Sequence, residues 1–267
     1  MKQPGKQVAG WPALRSRRHK ACPDLYAVVG GARIRYIEAG TEHAQSGPPL
    51  LMVHGYNGSC EYFFPGPIAL LGRRRRVLAP DLPGCGLSDR LPECTLEGYA
   101  ASLEGFLDAL GIEQADLLGH SMGGQIAICA AVRYPHRFRK LVLVDSAGLP
   151  ELVRRPWLAP FRMLADSSLR QVRLYPILIR TGLRARAVRD GLTILRTRSI
   201  RRELKQVSQP TLIIWGSRDR VVPLEHGAFM ARHISDARLA IVRGAGHMPF
   251  AEKPAQFAAL VQSFLGM

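Results

Sequence analysis

Residues Asp116–Gly124 read DLLGHSMGG. The stretch opens as an apolar strand, turns at Gly119-His120-Ser121-Met122-Gly123 and passes directly into a helix through Gln125-Ile126-Ala127-Ile128-Cys129-Ala130. A strand that turns straight into a helix strains its turn residue, and the backbones pack so closely that side chains at the flanking positions would clash. Glycine on both sides of Ser121 removes that clash. Ser121 is left exposed at the N-terminus of the helix, where free amides and the helix dipole favour developing negative charge. G-x-S-x-G alone is a weak signal; bracketed by an apolar strand and an apolar helix, it makes Ser121 a candidate nucleophile.

The flanking chain repeats the same alternation. Tyr26–Val29 and Arg33–Glu38 flank Gly30-Gly31 and alternate apolar with polar, which predicts an antiparallel hairpin. Pro49–Val53 and Arg75–Pro80 are short runs suited to strands buried on both faces. Thr95–Leu110 carries an apolar stripe at helical spacing (Leu96, Tyr99, Leu103, Phe106, Leu107, Leu110), with Thr95 as its cap and Gly111 as its stop. Lys140–Asp145, Thr211–Trp215 and Arg238–Val242 predict further strands, and Pro254–Leu265 a closing helix. Strands alternating with helices predict an α/β fold: a mostly parallel sheet with helices on both faces. The rhythm breaks over Leu149–Gln209, where Pro156, Pro160 and Pro176 cut an Arg-rich segment into short helices. The expected organisation is a basic, poorly ordered arm over 1–24, a core formed by 25–148 and 208–267, and a helical cap over 149–207.

The formal net charge of +16 is concentrated. Pro150–Lys205 holds 14 Arg or Lys against four acids, and the first twenty residues add six cations and no acid. This predicts attraction to anionic surfaces or acidic substrates. No basic-aromatic motif accompanies the charge, so nucleic acid is not an expected partner. The five cysteines (Cys22, Cys60, Cys85, Cys94, Cys129) share no metal-ligand spacing and read as reduced thiols. No apolar run reaches membrane-spanning or signal-peptide length. A cytoplasmic protein, peripheral to a membrane at most, is the expectation.

A serine hydroxyl needs a base, and the base needs an acceptor to orient it. The chain offers Asp219, in GSRDRVVP just after the strand TLIIW, and His247, in GAGHMPF just after RLAIV. Loops following successive parallel strands emerge on one edge, so Ser121, Asp219 and His247 can converge there. Asp145 also ends a strand and is the rival acid, although Asp219 sits in the fuller motif.

These landmarks resemble the α/β-hydrolase fold superfamily over residues 25–267: HG after the third strand, DLPGxGxSD after the fourth, then GHSMGG, WGxxDxxVP and GxGHxPxxExP. The resemblance implies Ser121 as nucleophile, His247 as general base and then acid, and Asp219 orienting the imidazole. It places the oxyanion hole at the backbone amides of Tyr56 and Met122. It implies no cofactor and no metal. His54 is expected to shape the oxyanion loop and His120 to pack beside the elbow, while His19, His43, His136, His226 and His233 are expected at the surface. A serine nucleophile disfavours the aspartyl chemistry of haloalkane dehalogenases and epoxide hydrolases. The absence of HGGG disfavours the hormone-sensitive-lipase branch.

The expected activity is hydrolysis of a carboxylic ester or other acyl substrate through an acyl-enzyme. The same residues would serve a C–C bond hydrolase of ring-cleavage products or a cofactor-free perhydrolase or haloperoxidase. A ligand receptor that kept the fold is the non-catalytic alternative. The concentrated basic charge predicts binding to liposomes rich in anionic lipid that weakens as salt rises; co-sedimentation that is absent, or indifferent to salt, removes the membrane-surface expectation.

Overall fold

The computed structural model describes residues 24–267 except 57, 64, 93 and 153–184. Eight strands form one sheet: β1 (Leu25–Val29), β2 (Ala32–Ala39), β3 (Leu50–Val53), β4 (Val77–Pro80), β5 (Ala115–His120), β6 (Phe138–Val144), β7 (Thr211–Gly216) and β8 (Ala237–Val242), in the spatial order β1-β2-β4-β3-β5-β6-β7-β8. β1 and β2 form the antiparallel hairpin around Gly30-Gly31, and β2 runs antiparallel to β4. From β4 to β8 every pairing is parallel.

Period-two alternation distributes each central strand between two cores. Leu51, Val53, Leu117, Leu141, Leu143 and Ile213 face one side. Leu50, Met52, Leu118, Val142, Val144 and Ile214 face the other. Helices α1 (Cys60–Phe63) and α2 (Pro65–Leu71) follow β3. The first face is covered by α3 (Leu96–Ala109) and α4 (Met122–Arg133), which bring Tyr99, Phe106 and Ile126. Burial on both faces is why these strands read as unbroken apolar runs. Thr95 caps α3 as expected, its hydroxyl accepting from the Gly98 amide at 3.0 Å.

Between the serine helix and β7 the sequence predicts a helical cap over 149–207. Residues 153–184 of it lie outside the described residues, as do residues 1–23 of the N-terminal arm expected over 1–24. Described here are a 3-10 turn at Pro150–Leu152, helix α5 (Ala185–Thr197) and a second 3-10 turn at Glu203–Gln206. α5 is tied to the core by an Arg90–Asp190 ion pair of 2.7 Å. Just beyond its end, Arg198 pairs with Glu97, and the Gln125 amide donates to the Arg198 carbonyl. Among the described residues no helix is long and apolar enough to cross a membrane.

A helix that the sequence reading does not place, α6 (Leu224–His233), follows Pro223, and α7 (Pro249–Glu252) precedes α8 (Pro254–Leu265). The inner face of α6 is His226, Gly227 and Met230, too short and too polar a stripe to register as helical periodicity. It joins the first face, while α8 covers the second with Phe257 and Val261.

One buried cation anchors the loops beside the site. The Arg35 guanidinium donates to Asp24 at 2.6 Å, Glu61 at 2.7 Å, Asp81 at 3.3 Å and the Cys60 sulfur at 3.1 Å. Asp81, fully buried at the end of β4, also accepts from the Cys60 and Leu87 amides at 2.9 and 2.8 Å. The turn after β4 and the segment after β3 are thereby fastened to one carboxylate. Arg35→Met leaves that carboxylate buried without its cation, so urea unfolding of the variant is expected to show a loss of about 3–5 kcal/mol.

Candidate active site

Ser121 sits between β5 and α4 with φ 54° and ψ −119°, a region that non-glycine residues rarely enter. Packing imposes this. A Cβ on Gly119 would lie 2.3 Å from the Gly123 carbonyl oxygen, and one on Gly123 would lie 2.4 Å from that of Val53. The strained turn is held from both directions: the Ser121 amide donates to the Val144 carbonyl at 3.0 Å, and its own carbonyl accepts from Gly124 at 2.9 Å and Ala147 at 3.0 Å.

The three expected residues meet at this turn. His247 Nε2 lies 3.1 Å from Ser121 Oγ, and His247 Nδ1 lies 2.8 Å from Asp219 Oδ2. The Asp219 side chain is fully buried, and its other oxygen accepts from the Val221 and Val222 amides at 2.7 and 2.9 Å. An acceptor on Nδ1 puts the imidazole proton there and leaves the Nε2 lone pair facing the serine. The loops carrying Asp219 and His247 are stitched together by Arg218 N–H to the Ala245 carbonyl (2.8 Å) and Gly244 N–H to Ser217 Oγ (2.9 Å). Glu252, the acid of the ExP ending, accepts from the Gly246 amide at 2.8 Å and so steadies the histidine loop from α7.

The loop after β3 closes the other side. A Cβ on Gly55 would lie 3.1 Å from Ser121 Cβ, so the Gly55–Tyr56 backbone passes directly over Ser121. Met122 is the first residue of α4, and its amide therefore has no partner inside the helix. His54 accepts from the Leu82 amide through Nε2 (2.9 Å), so Nδ1–H donates to the Gly55 carbonyl (2.8 Å) and sets the loop's course. His120 Nε2 lies 2.9 Å from the His247 carbonyl oxygen, an acceptor, and so donates to it. Burial pushes the pKa of both imidazoles down, keeping them neutral, scaffolding groups. Gly191 of α5 packs against this side: a Cβ there would lie 2.8 Å from the Tyr56 ring and 3.3 Å from the Met122 sulfur.

One side chain stands differently from expectation. His226 is not at the surface: it is 2 % exposed on the inward face of α6, and neither ring nitrogen has a hydrogen-bond partner among the described residues. The amphipathic orientation of α6 draws it inside, and burial lowers its pKa. Asp145 is fully buried at the end of β6, its Oδ1 accepting from the Gly216 amide at 2.8 Å. It does not contact the imidazole in place of Asp219, but it stands beside Asp219 and His247, with one ligating atom from each of the three within 4.8 Å of the others. That is also the one set among the described residues with metal-ligand spacing, and its His247 nitrogens already serve Asp219 and Ser121. Cys60 lies against Arg35 in the anchor, with its thiol pKa raised by burial, rather than at the serine.

Comparison with known proteins agrees with this architecture. The α/β hydrolase fold family model matches residues 48–194 and 180–254. The 2-hydroxymuconate semialdehyde hydrolase of a Pseudomonas species is 32% identical, over 89% of this chain and 92% of that protein. A pimeloyl-acyl-carrier-protein methyl ester esterase of Nitrosomonas europaea is 34% identical, over 81% and 95%. The structure of a meta-cleavage product hydrolase from Pseudomonas fluorescens superposes with a TM-score of 0.79 at 26% identity, covering 91% of this chain and 97% of that one. Elbow, sheet order and sequence matches lead to one conclusion: the chain belongs to the α/β-hydrolase fold family.

Proposed function

We propose that this hydrolase cleaves a carboxylic ester, with Ser121 as nucleophile. The observation that carries the reading is the continuous line from the Asp219 carboxylate through the His247 imidazole to the Ser121 hydroxyl, at 2.8 and 3.1 Å. His247 Nε2 takes the Ser121 proton as Oγ attacks the acyl carbon. The developing oxyanion is held by the backbone amides of Met122 and Tyr56, where loss of one such donor costs roughly 3–4 kcal/mol of transition-state stabilisation. His247 then returns the proton to the departing alkoxide, leaving the acyl group on Ser121. Water deprotonated by the same nitrogen releases the acid. Asp219 stays a carboxylate throughout and fixes the imidazole tautomer.

A C–C bond hydrolase is the second reading. It is favoured by the 32% identity to a hydrolase whose substrate is 2-hydroxymuconate semialdehyde, as the ester reading is favoured by the 34% identity to a methyl ester esterase. In that chemistry the group leaving the acyl carbon is a stabilised carbanion, and the same three side chains would serve it.

The readings separate on substrate. Nitrophenyl esters of graded chain length are expected to be turned over with a burst of one nitrophenol per Ser121. A vinylogous diketone cleaved faster than every ester by kcat/KM would replace the ester reading with the C–C one. Peroxide with bromide tests the perhydrolase alternative in the same panel. Ser121→Ala is expected to lower kcat by about 10⁶-fold and to abolish covalent labelling by a fluorophosphonate. Labelling that survives in the variant would remove Ser121 from the mechanism.

A further inference from the structure

The second acid beside the relay has its own geometry. Asp145 has φ 43°, a conformation that costs a non-glycine residue energy, and it is held there by its amide donating to the Ile214 carbonyl at 3.0 Å and by Oδ1 accepting from Gly216 at 2.8 Å. Its other oxygen, Oδ2, is buried and accepts no hydrogen bond among the described residues. The carboxyl is packed against the same cluster as Asp219 and His247. Two ionised carboxylates cannot share so dry a site, and Asp219 is the one supplied with amide donors and an imidazole N–H. The charged groups facing Asp145 are Asp219 and Glu252, both acids, and burial together with their charge holds its pKa well above the ordinary range.

We propose that Asp145 is a positioning residue of the relay. It is a neutral carboxyl whose Oδ2–H donates to the Asp219 carboxylate, so that the pair carries one negative charge and one proton. The bond steadies Asp219 against His247 Nδ1. Once Asp219 is removed, burial still opposes ionisation of Asp145 but the Asp219 charge that added to it is gone, so Asp145 releases its proton as the imidazole takes up the serine proton and supplies the carboxylate itself from within 4.8 Å of the ring. The inference rests on the serine-relay reading for its kinetic consequences but not for the state of the carboxyl.

The test joins kinetics to spectroscopy. In ester hydrolysis, Asp219→Ala is expected to lower kcat by about 10²-fold, and Asp145→Asn/Asp219→Ala by about 10⁴-fold, the loss typical of a triad without its acid. Asp145→Leu, which offers no donor, is expected to lower kcat about tenfold at unchanged KM; Asp145→Asn, whose amide can still donate, is expected to recover most of that loss. Independently of turnover, infrared difference spectra at pH 7 are expected to show a protonated-carboxyl stretch in the wild type that Asp145→Asn removes. If Asp219→Ala and the double variant are equally active, or the carboxyl band persists in Asp145→Asn, the proposal is overturned. Wild-type protein that hydrolyses no ester but shows the band would instead overturn the ester reading and leave the carboxyl pair standing.

Discussion

Everything at the site depends on a backbone contact: the first turn of α4 packed onto the carbonyls that end β3. Gly123 leaves no room for a single carbon between it and the Val53 carbonyl oxygen. That closeness aims the helix N-terminus at the space above the sheet and forces Ser121 into its positive φ. A strained turn persists only when its surroundings over-determine it, and here hydrogen bonds from the neighbouring β6 and from the residues following it provide that restraint. Strain and position therefore have one origin. The hydroxyl is presented because the backbone has nowhere else to go.

Around this turn polar groups are used for placement more than for charge. Three buried histidines lie on or near the site, and only His247 makes contact with both a serine and a carboxylate. His54 spends both ring nitrogens, and His120 its Nε2, on backbone groups, which fixes the Gly55–Tyr56 backbone and the His247 loop. Asp81 and Arg35 do the same work one layer out. Burying a guanidinium against a buried carboxylate is a costly way to gain stability. What it delivers is registration: the segments following β3 and β4 and the N-terminal hairpin are referred to one point.

Much of this was legible in the sequence, for physical reasons. Runs such as LLMV and LVLV are apolar throughout because those strands face a core on each side, and five glycine-marked motifs in order name the loops at one edge. The residues that converge, Ser121, Asp219 and His247, each follow a strand, and the sheet order makes their strands neighbours within the β5-β6-β7-β8 run. What stayed hidden depends on contacts between distant segments. α6 escaped notice because its inner stripe is a histidine, a glycine and a methionine. For the same reason His226 looked like a surface residue. Asp145 was visible as a strand-ending acid, but its closeness to Asp219 is set by the pairing of β6 with β7, which no local pattern encodes. The arginine-rich span from 149 to 207 has neither strand rhythm nor motif to place its elements.

The glycine of α5 that rests on Tyr56 and Met122 gives the covering helix a second role. On the proposed mechanism the two residues beneath it are the ones whose amides would receive the oxyanion, so α5 bears directly on those donors. On that mechanism a change that thickens or shifts α5 at Gly191 displaces Tyr56 and Met122 with it, so changes in the helix and in the residues beneath it are expected to come in pairs.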